Sequence, residues 1–256
     1  MKGAIIGGTG FYEAGDLLRT ETVKTPYGTV EVEVIRHQES EIAFLNRHGK
    51  GHSVPPHKVN YQANLKALEM LGIRHVLAGT AVGSCNPDFQ TGDLVLLTDL
   101  IDNTRGRSLT FFDGGPEGVR HFDMSDPYCH NLRELMGKTA EGHPPGFKGE
   151  GIYCCSEGPR FETAAEVRMI RQWGADVVGM TNVPEAQLAK ELGLCYAAVS
   201  VVVNMATGME DGAVDLEYGD GVIRDAMQCL RLILKDTLLQ PLDQNQCGCS
   251  DALIPL

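Results

Sequence analysis

Apolar residues along this chain recur either at every second position or at helical spacing, and the switches between the two patterns predict its elements. Residues 3–6 form a short apolar run that ends at Gly7-Gly8-Thr9-Gly10, as a buried strand feeding a glycine-rich turn would. Alternation then continues over 22–24, through the turn Thr25-Pro26-Tyr27-Gly28, over 30–35, and into a further strand at 42–45. This is an antiparallel meander. It stands where a dinucleotide-binding unit would need its crossover helix, which argues against nicotinamide binding.

A helical stripe covers about 58–71 and stops at Gly72, and a strand at 74–78 runs into a small-residue turn, Gly79-Thr80-Ala81-Val82-Gly83-Ser84. The turn Gln90-Thr91-Gly92-Asp93 introduces a strand at 94–97, and residues 104–123 read as a long surface loop with His121 near its end. A helix over about 129–140 and a strand at 151–155 come next. Thr163, with Glu166 three residues on, is a capping-box pattern. It predicts a helix from about Ala164, with Val167, Ile170 and Trp173 on one stripe and Gly174 as its stop.

Residues 175–180 predict a strand that breaks at Thr181-Asn182-Val183-Pro184-Glu185, with Asn182 as cap and Pro184 in the first turn of a helix ending near Gly193. The nearly unbroken apolar run 195–203 marks a central strand ending at Asn204. A loop over 205–215 and a last amphipathic helix over about 218–239 follow, its core stripe being Val222, Ile223, Met227, Leu230, Ile233 and Leu234. The expected fold is therefore α/β, a single domain over 1–256 with a central mixed β-sheet flanked by helices.

The length of 256 residues and 43% hydrophobic content suit one sizeable core. No run reaches membrane-spanning length and the N-terminus has no signal-peptide pattern, so the expected location is cytoplasmic. A net charge of −12 argues against nucleic acid or a membrane surface as partner, while leaving room for a small anion at a local basic cluster. The eight cysteines read as too dispersed for a zinc pattern, with Cys247-Gly248-Cys249 either an exchange-competent pair or a plain tail.

The local basic cluster is Asn46-Arg47-His48-Gly49-Lys50-Gly51-His52, directly after a predicted strand. Arg47 can grip an oxyanion bidentately and His48 can donate a further bond. Thr9, Thr80 and Thr181 each stand at the carboxyl end of a predicted strand, and in an α/β sheet such ends share one crevice. Phe161, Glu162, Met180 and Asn204 are expected to line it too, giving a ligand with an anionic part and a flat, hydrogen-bonding part.

The motifs Gly7-Gly8-Thr9-Gly10, Asn46-Arg47-His48-Gly49, Val59-Asn60-Tyr61-Gln62-Ala63-Asn64, Glu157-Gly158-Pro159-Arg160-Phe161 and Met180-Thr181-Asn182-Val183-Pro184-Glu185 occur in this order. Together with residues 79–84 they make the chain resemble, over nearly its whole length, the trimeric purine nucleoside phosphorylase and methylthioadenosine phosphorylase family. The resemblance implies a phosphate site of Thr9, Arg47, His48, Thr80, Ala81 and Thr181, with Met180 under the ribose and Phe161 against the base. It implies that His121 reaches a neighbouring subunit's site in a homotrimer or a dimer of trimers. Inorganic phosphate is then a co-substrate, and neither a metal nor an organic cofactor is expected.

The base-reading positions differ from the methylthioadenosine branch, which resembles this chain elsewhere but has serine where Glu162 stands and aspartates where Asn204 and Ala206 stand. A carboxylate at 162 accepts from the N1 proton of hypoxanthine or guanine and meets the N1 lone pair of adenine unfavourably. Asn204 can donate to a 6-oxo group or bridge at N7, which would relieve charge on the departing base. A 6-oxopurine nucleoside or 5′-methylthionucleoside is the expected substrate, with S-methyl-5′-thioadenosine the alternative and a non-catalytic nucleoside-binding protein more distant. At the 5′ end no histidine follows His143, and Val214, Leu216, Val222 or Ile223 could offer an apolar wall that favours 5′-methylthioinosine.

Overall fold

The computed structural model describes residues 1–8, 15–116, 118–210, 221–242 and 247–254. Its first strands follow the expected meander: β1 (Ala4–Gly7) is parallel to β4 (Ser40–Asn46), while β2 (Asp16–Thr25) and β3 (Gly28–His37) form an antiparallel ribbon beside β4. After α1 (Tyr61–Met70) come β5 (His75–Ser84), β6 (Leu94–Asn103) and the short β7 (His121–Phe122). Then α2 (His130–Ala140), β8 (Gly149–Ser156), α3 (Ala164–Gln172), β9 (Val177–Gly179), α4 (Asn182–Glu191) and β10 (Cys195–Met205) alternate. The chain continues through α5 (Gly221–Leu239) to β11 (Leu253–Ile254), which pairs with β7.

Nine strands join in the order β10-β6-β8-β9-β5-β1-β4-β3-β2, and β10 also pairs with β5, so the five strands at that end close on themselves. Period-two alternation divides the sheet's side chains between two helical layers. Ile6, Ala78 and Ala198 face the cluster that α1 and α4 cover, whereas their neighbours Ile5, Leu77 and Ala197 face the cluster that α2 and α5 cover. Val167 and Ile170 of α3 pack in a third cluster with Cys85, Cys154 and Val178. Among the described residues no helix is long and apolar enough to cross a membrane.

Several expectations need correction. The segment 79–84 is not a turn but the second half of β5, paired with β10 with one register shift between Val202 and Asn204. The first long helix begins at Tyr61, with a single 3-10 turn, Pro56–Lys58, before it; Asn60 caps it by accepting from the Ala63 amide. Asn182 does not cap α4: Thr181 holds that position, and Asn182 Oδ1 instead accepts from Tyr128 and Tyr196 hydroxyls at 3.1 and 3.2 Å. Trp173 and Val222, both expected on core stripes, are about half exposed at 47% and 54%. The capping box of Thr163 and Glu166 is present as expected. An N-cap of this kind contributes about 1 kcal/mol.

Candidate active site

The site sits where β5 changes neighbours. Its first half is flanked by β1 up to the pair Ile6 and Ala78, and its last residues, Gly83 and Ser84, by β9. Between those two contacts the edge of β5 borders a cavity of about 370 Å³, which Gly8, Ala81, Val82 and Gly83 line from the strand side. Small residues are needed here. A Cβ on Gly8 would lie 2.7 Å from Arg47 Nη1, and one on Gly83 would lie 3.3 Å from the Cα of Ala206.

Arg47 enters from the end of β4, its amide bonded to the Gly7 carbonyl at 3.0 Å. Its side chain has 0% exposure and forms a bidentate pair with the equally buried Glu185, Nε to Oε2 at 2.6 Å and Nη2 to Oε1 at 2.7 Å. Nη1 donates to the Gly79 carbonyl at 3.1 Å, and Tyr196 adds a hydroxyl bond to Glu185 at 2.8 Å. Burial works against the guanidinium charge, but the Glu185 carboxylate outweighs it and holds the pKa above its ordinary value. With one hydrogen committed on each nitrogen, the second hydrogens of Nη1 and Nη2 remain for an anion.

His48 lines the same cavity, and its Nδ1 is 2.8 Å from the Val54 carbonyl. Burial, and then the charge of Arg47, push its pKa down to about 4. The ring is therefore neutral near pH 7, and because a carbonyl only accepts, Nδ1 carries the proton. Nε2 keeps its lone pair, so in this neutral form the ring offers a ligand an acceptor at Nε2. His52 lines the cavity beside it, the two ring centroids 4.3 Å apart.

Phe161, Glu162, Met180, Thr181, Asn204 and Ala206 complete the lining, Asn204 and Ala206 lying directly beside Gly83. Glu162, only 9% exposed, is held by the Ser156 hydroxyl, which donates to Oε1 and leaves Oε2 as an acceptor. Phe161, by contrast, is 45% exposed, so its ring forms the cavity's rim. Thr181 is fixed through its amide, which donates to Tyr153 Oη at 3.1 Å, and its hydroxyl makes no capping bond to α4. Asn204 Nδ2 donates to the Met205 carbonyl at 2.7 Å, keeping one amide hydrogen and Oδ1 for a ligand. The segments leading to Phe161 and following Thr181 are clamped together by Arg107, which donates to the carbonyls of Ser156, Glu157 and Val183.

Of the expected site residues, Arg47, His48, Ala81, Phe161, Glu162, Met180, Thr181 and Asn204 thus meet in one cavity. Thr80 lies just behind it, 1% exposed, its hydroxyl paired with Ser200 Oγ at 2.9 Å across β5 and β10. His121 is on exposed β7, away from this chain's own cavity. Ile223 belongs to the core under α5, and exposed Val222 abuts Gly92, so neither forms the 5′ wall proposed for them. Thr9, Val214 and Leu216 lie outside the described residues.

Sequence reasoning missed Glu185 and Ser156 as supports of the site. Glu185 had a signal. It stands between Pro184 and Ala186 in a stretch buried almost all round, where an acid requires a buried cation.

A model of the phosphorylase superfamily matches residues 2–238. The 6-oxopurine nucleoside phosphorylase of Pyrococcus furiosus is 46% identical over 98% of this chain and 97% of its own length. The probable S-methyl-5′-thioinosine phosphorylase of Methanopyrus kandleri is 41% identical over 97% of this chain and 96% of its own. Among solved structures, a variant of the adenosine/methylthioadenosine phosphorylase of Schistosoma mansoni in complex with methylthioadenosine superposes with a TM-score of 0.86. It is 31% identical, covering 95% of this chain and 93% of that one. With such likeness along nearly its full length, the chain belongs to the phosphorylase superfamily and is a nucleoside phosphorylase.

Proposed function

We propose that this chain, acting as one domain, cleaves the N-glycosidic bond of 6-oxopurine nucleosides or their 5′-methylthio analogues with inorganic phosphate. The products are the free purine and the (methylthio)ribose 1-phosphate. The observation that carries the purine choice is Glu162, buried and oriented by Ser156, in a cavity whose other base-facing group is the amide Asn204. Oε2 accepts from N1–H of a 6-oxopurine, while adenine would set a lone pair against it. Asn204 donates toward O6 or N7, where negative charge grows as the base departs.

The phosphate is held by Arg47, His48, Thr181 and Ala81, with Thr9 and Thr80 completing the set that the family resemblance implies. Phosphate attacks C1′ as the glycosidic bond lengthens through an oxocarbenium-like state, as in related glycosidic chemistry. The anion beneath the ring then offsets the developing positive charge. Met180 supports the ribose and Phe161 the base. No metal or organic cofactor takes part in the chemistry.

The test is Glu162→Ser combined with Asn204→Asp. Each polar mismatch is worth about 1–3 kcal/mol, so the ratio of kcat/KM for methylthioinosine over methylthioadenosine should fall at least about tenfold. A double variant that keeps the original ranking removes the basis for this base reading.

The reading includes a homotrimer in which the exposed His121 completes a neighbour's cavity. Light scattering should give the mass of three chains, or of six for a dimer of trimers, and His121→Ala should raise KM for the nucleoside while leaving the mass unchanged. A monomer with full activity contradicts it.

A further inference from the structure

Far from the phosphate cavity, cysteines that are remote in sequence come together. The sulfurs of Cys129, Cys195, Cys247 and Cys249 all lie within 4.8 Å of one another, and the Cys195 and Cys247 sulfurs are 3.3 Å apart. Each residue is a free thiol, and three of the four are buried. The dispersed spacing had argued against a metal. The fold supplies what the spacing lacks: Cys129 stands immediately before α2, Cys195 opens the central strand β10, and Cys247 and Cys249 arrive on the segment after α5.

Four sulfurs around a zinc ion at about 2.3 Å stand about 3.8 Å from each other in a regular tetrahedron, which matches this clustering. The surroundings also fit. Cys129 occupies the N-cap position of α2, where the helix favours an anionic sulfur. A cavity of about 190 Å³ lined by Cys129, Cys195, Cys247, His75 and Lys138 gives an ion a route to the sulfurs and sets a cation near them. Asn131 and Glu134 also line that cavity, while Cys129, Cys195 and Cys249 themselves belong to the core under α2 and α5.

We propose that Cys129, Cys195, Cys247 and Cys249 form a tetrathiolate site for one zinc ion, which fastens the C-terminal segment to the body of the sheet. The ion closes all its positions with protein sulfur, so its role is structural and separate from phosphorolysis. Its reach extends further along the chain. Past Cys249, the Ala252 carbonyl accepts from the Asp123 amide at 2.9 Å, and Ile254 of β11 pairs with His121 of β7. A metal at the four sulfurs therefore steadies the strand that carries His121.

The test uses the full-length protein purified with reductant and without added metal, then loaded with Zn²⁺ or Co²⁺ and desalted. Metal analysis should find about one zinc per chain, and the cobalt form should show thiolate charge-transfer bands with the intense visible bands of tetrahedral Co²⁺. Cys247→Ser with Cys249→Ser should bring the stoichiometry from about one to about zero. Should that variant fold poorly, the cobalt spectrum of the unaltered chain decides alone. Fully reduced protein that retains neither metal overturns the proposal, and so does mass analysis showing the four sulfurs joined as disulfides in protein kept under reductant.

Discussion

Arg47 shows how one side chain can be both anchored and available. Its pair with Glu185 spends a hydrogen on Nε and one on Nη2, and the Gly79 carbonyl takes one from Nη1, which fixes the plane of the guanidinium toward the cavity. Removing the acid leaves a buried charge without its partner. Glu185→Ala should therefore cost about 3–5 kcal/mol in urea denaturation. It should also raise KM for phosphate more than KM for the nucleoside; equal effects on both would show that Glu185 supports only the fold.

His48 makes a second residue-scale prediction, through pH. Its folded pKa, about 4, lies below the ordinary value of 6.5, so between those limits the unfolded chain binds a proton that the folded chain does not. Stability from this residue is present above pH 6.5, falls as pH drops toward 4, and changes no further below that. The loss is on the order of 3 kcal/mol. His48→Gln cannot take up the proton, so its denaturation free energy should be flatter than that of the unaltered chain across this interval. An unchanged slope would mean that His48 is not held neutral.

At the scale of elements, what the sequence revealed depended on whether the signal was local. The meander, the capping box before α3 and the unbroken apolar β10 all announce themselves within a few residues, and all are present. β5 misled for a physical reason. Arg47 reaches the backbone at Gly79, the backbone of Ala206 packs against Gly83, and Ala81 lines the cavity, and a row of small residues reads as a turn until those neighbours are known. The start of α4 misled similarly. Asn182 has the composition of a cap, but two tyrosine hydroxyls from α2's leading segment and from β10 claim its oxygen.

At the scale of the molecule, ordered motifs were enough to place most of the site, because the strand ends that carry them converge on one crevice. What stayed hidden were partnerships between distant positions: Glu185 with Arg47, Ser156 between Glu162 and the Gly179 carbonyl, and four cysteines from three parts of the chain. None has a spacing of its own, since each joins elements that meet only in the folded chain. The same convergence lets one cavity present an anion site and a base site. Arg47 and His48 come from the β4 end, and Glu162 and Asn204 from the segment before α3 and from β10.

That arrangement is tested most directly by the initial rate of free-base release from inosine, guanosine, 5′-methylthioinosine, adenosine and 5′-methylthioadenosine, each with and without inorganic phosphate. The expected result is turnover only with phosphate, with every 6-oxopurine ahead of its 6-amino counterpart by about tenfold or more in kcat/KM. Base release that does not need phosphate, or methylthioadenosine ahead of methylthioinosine, would contradict it.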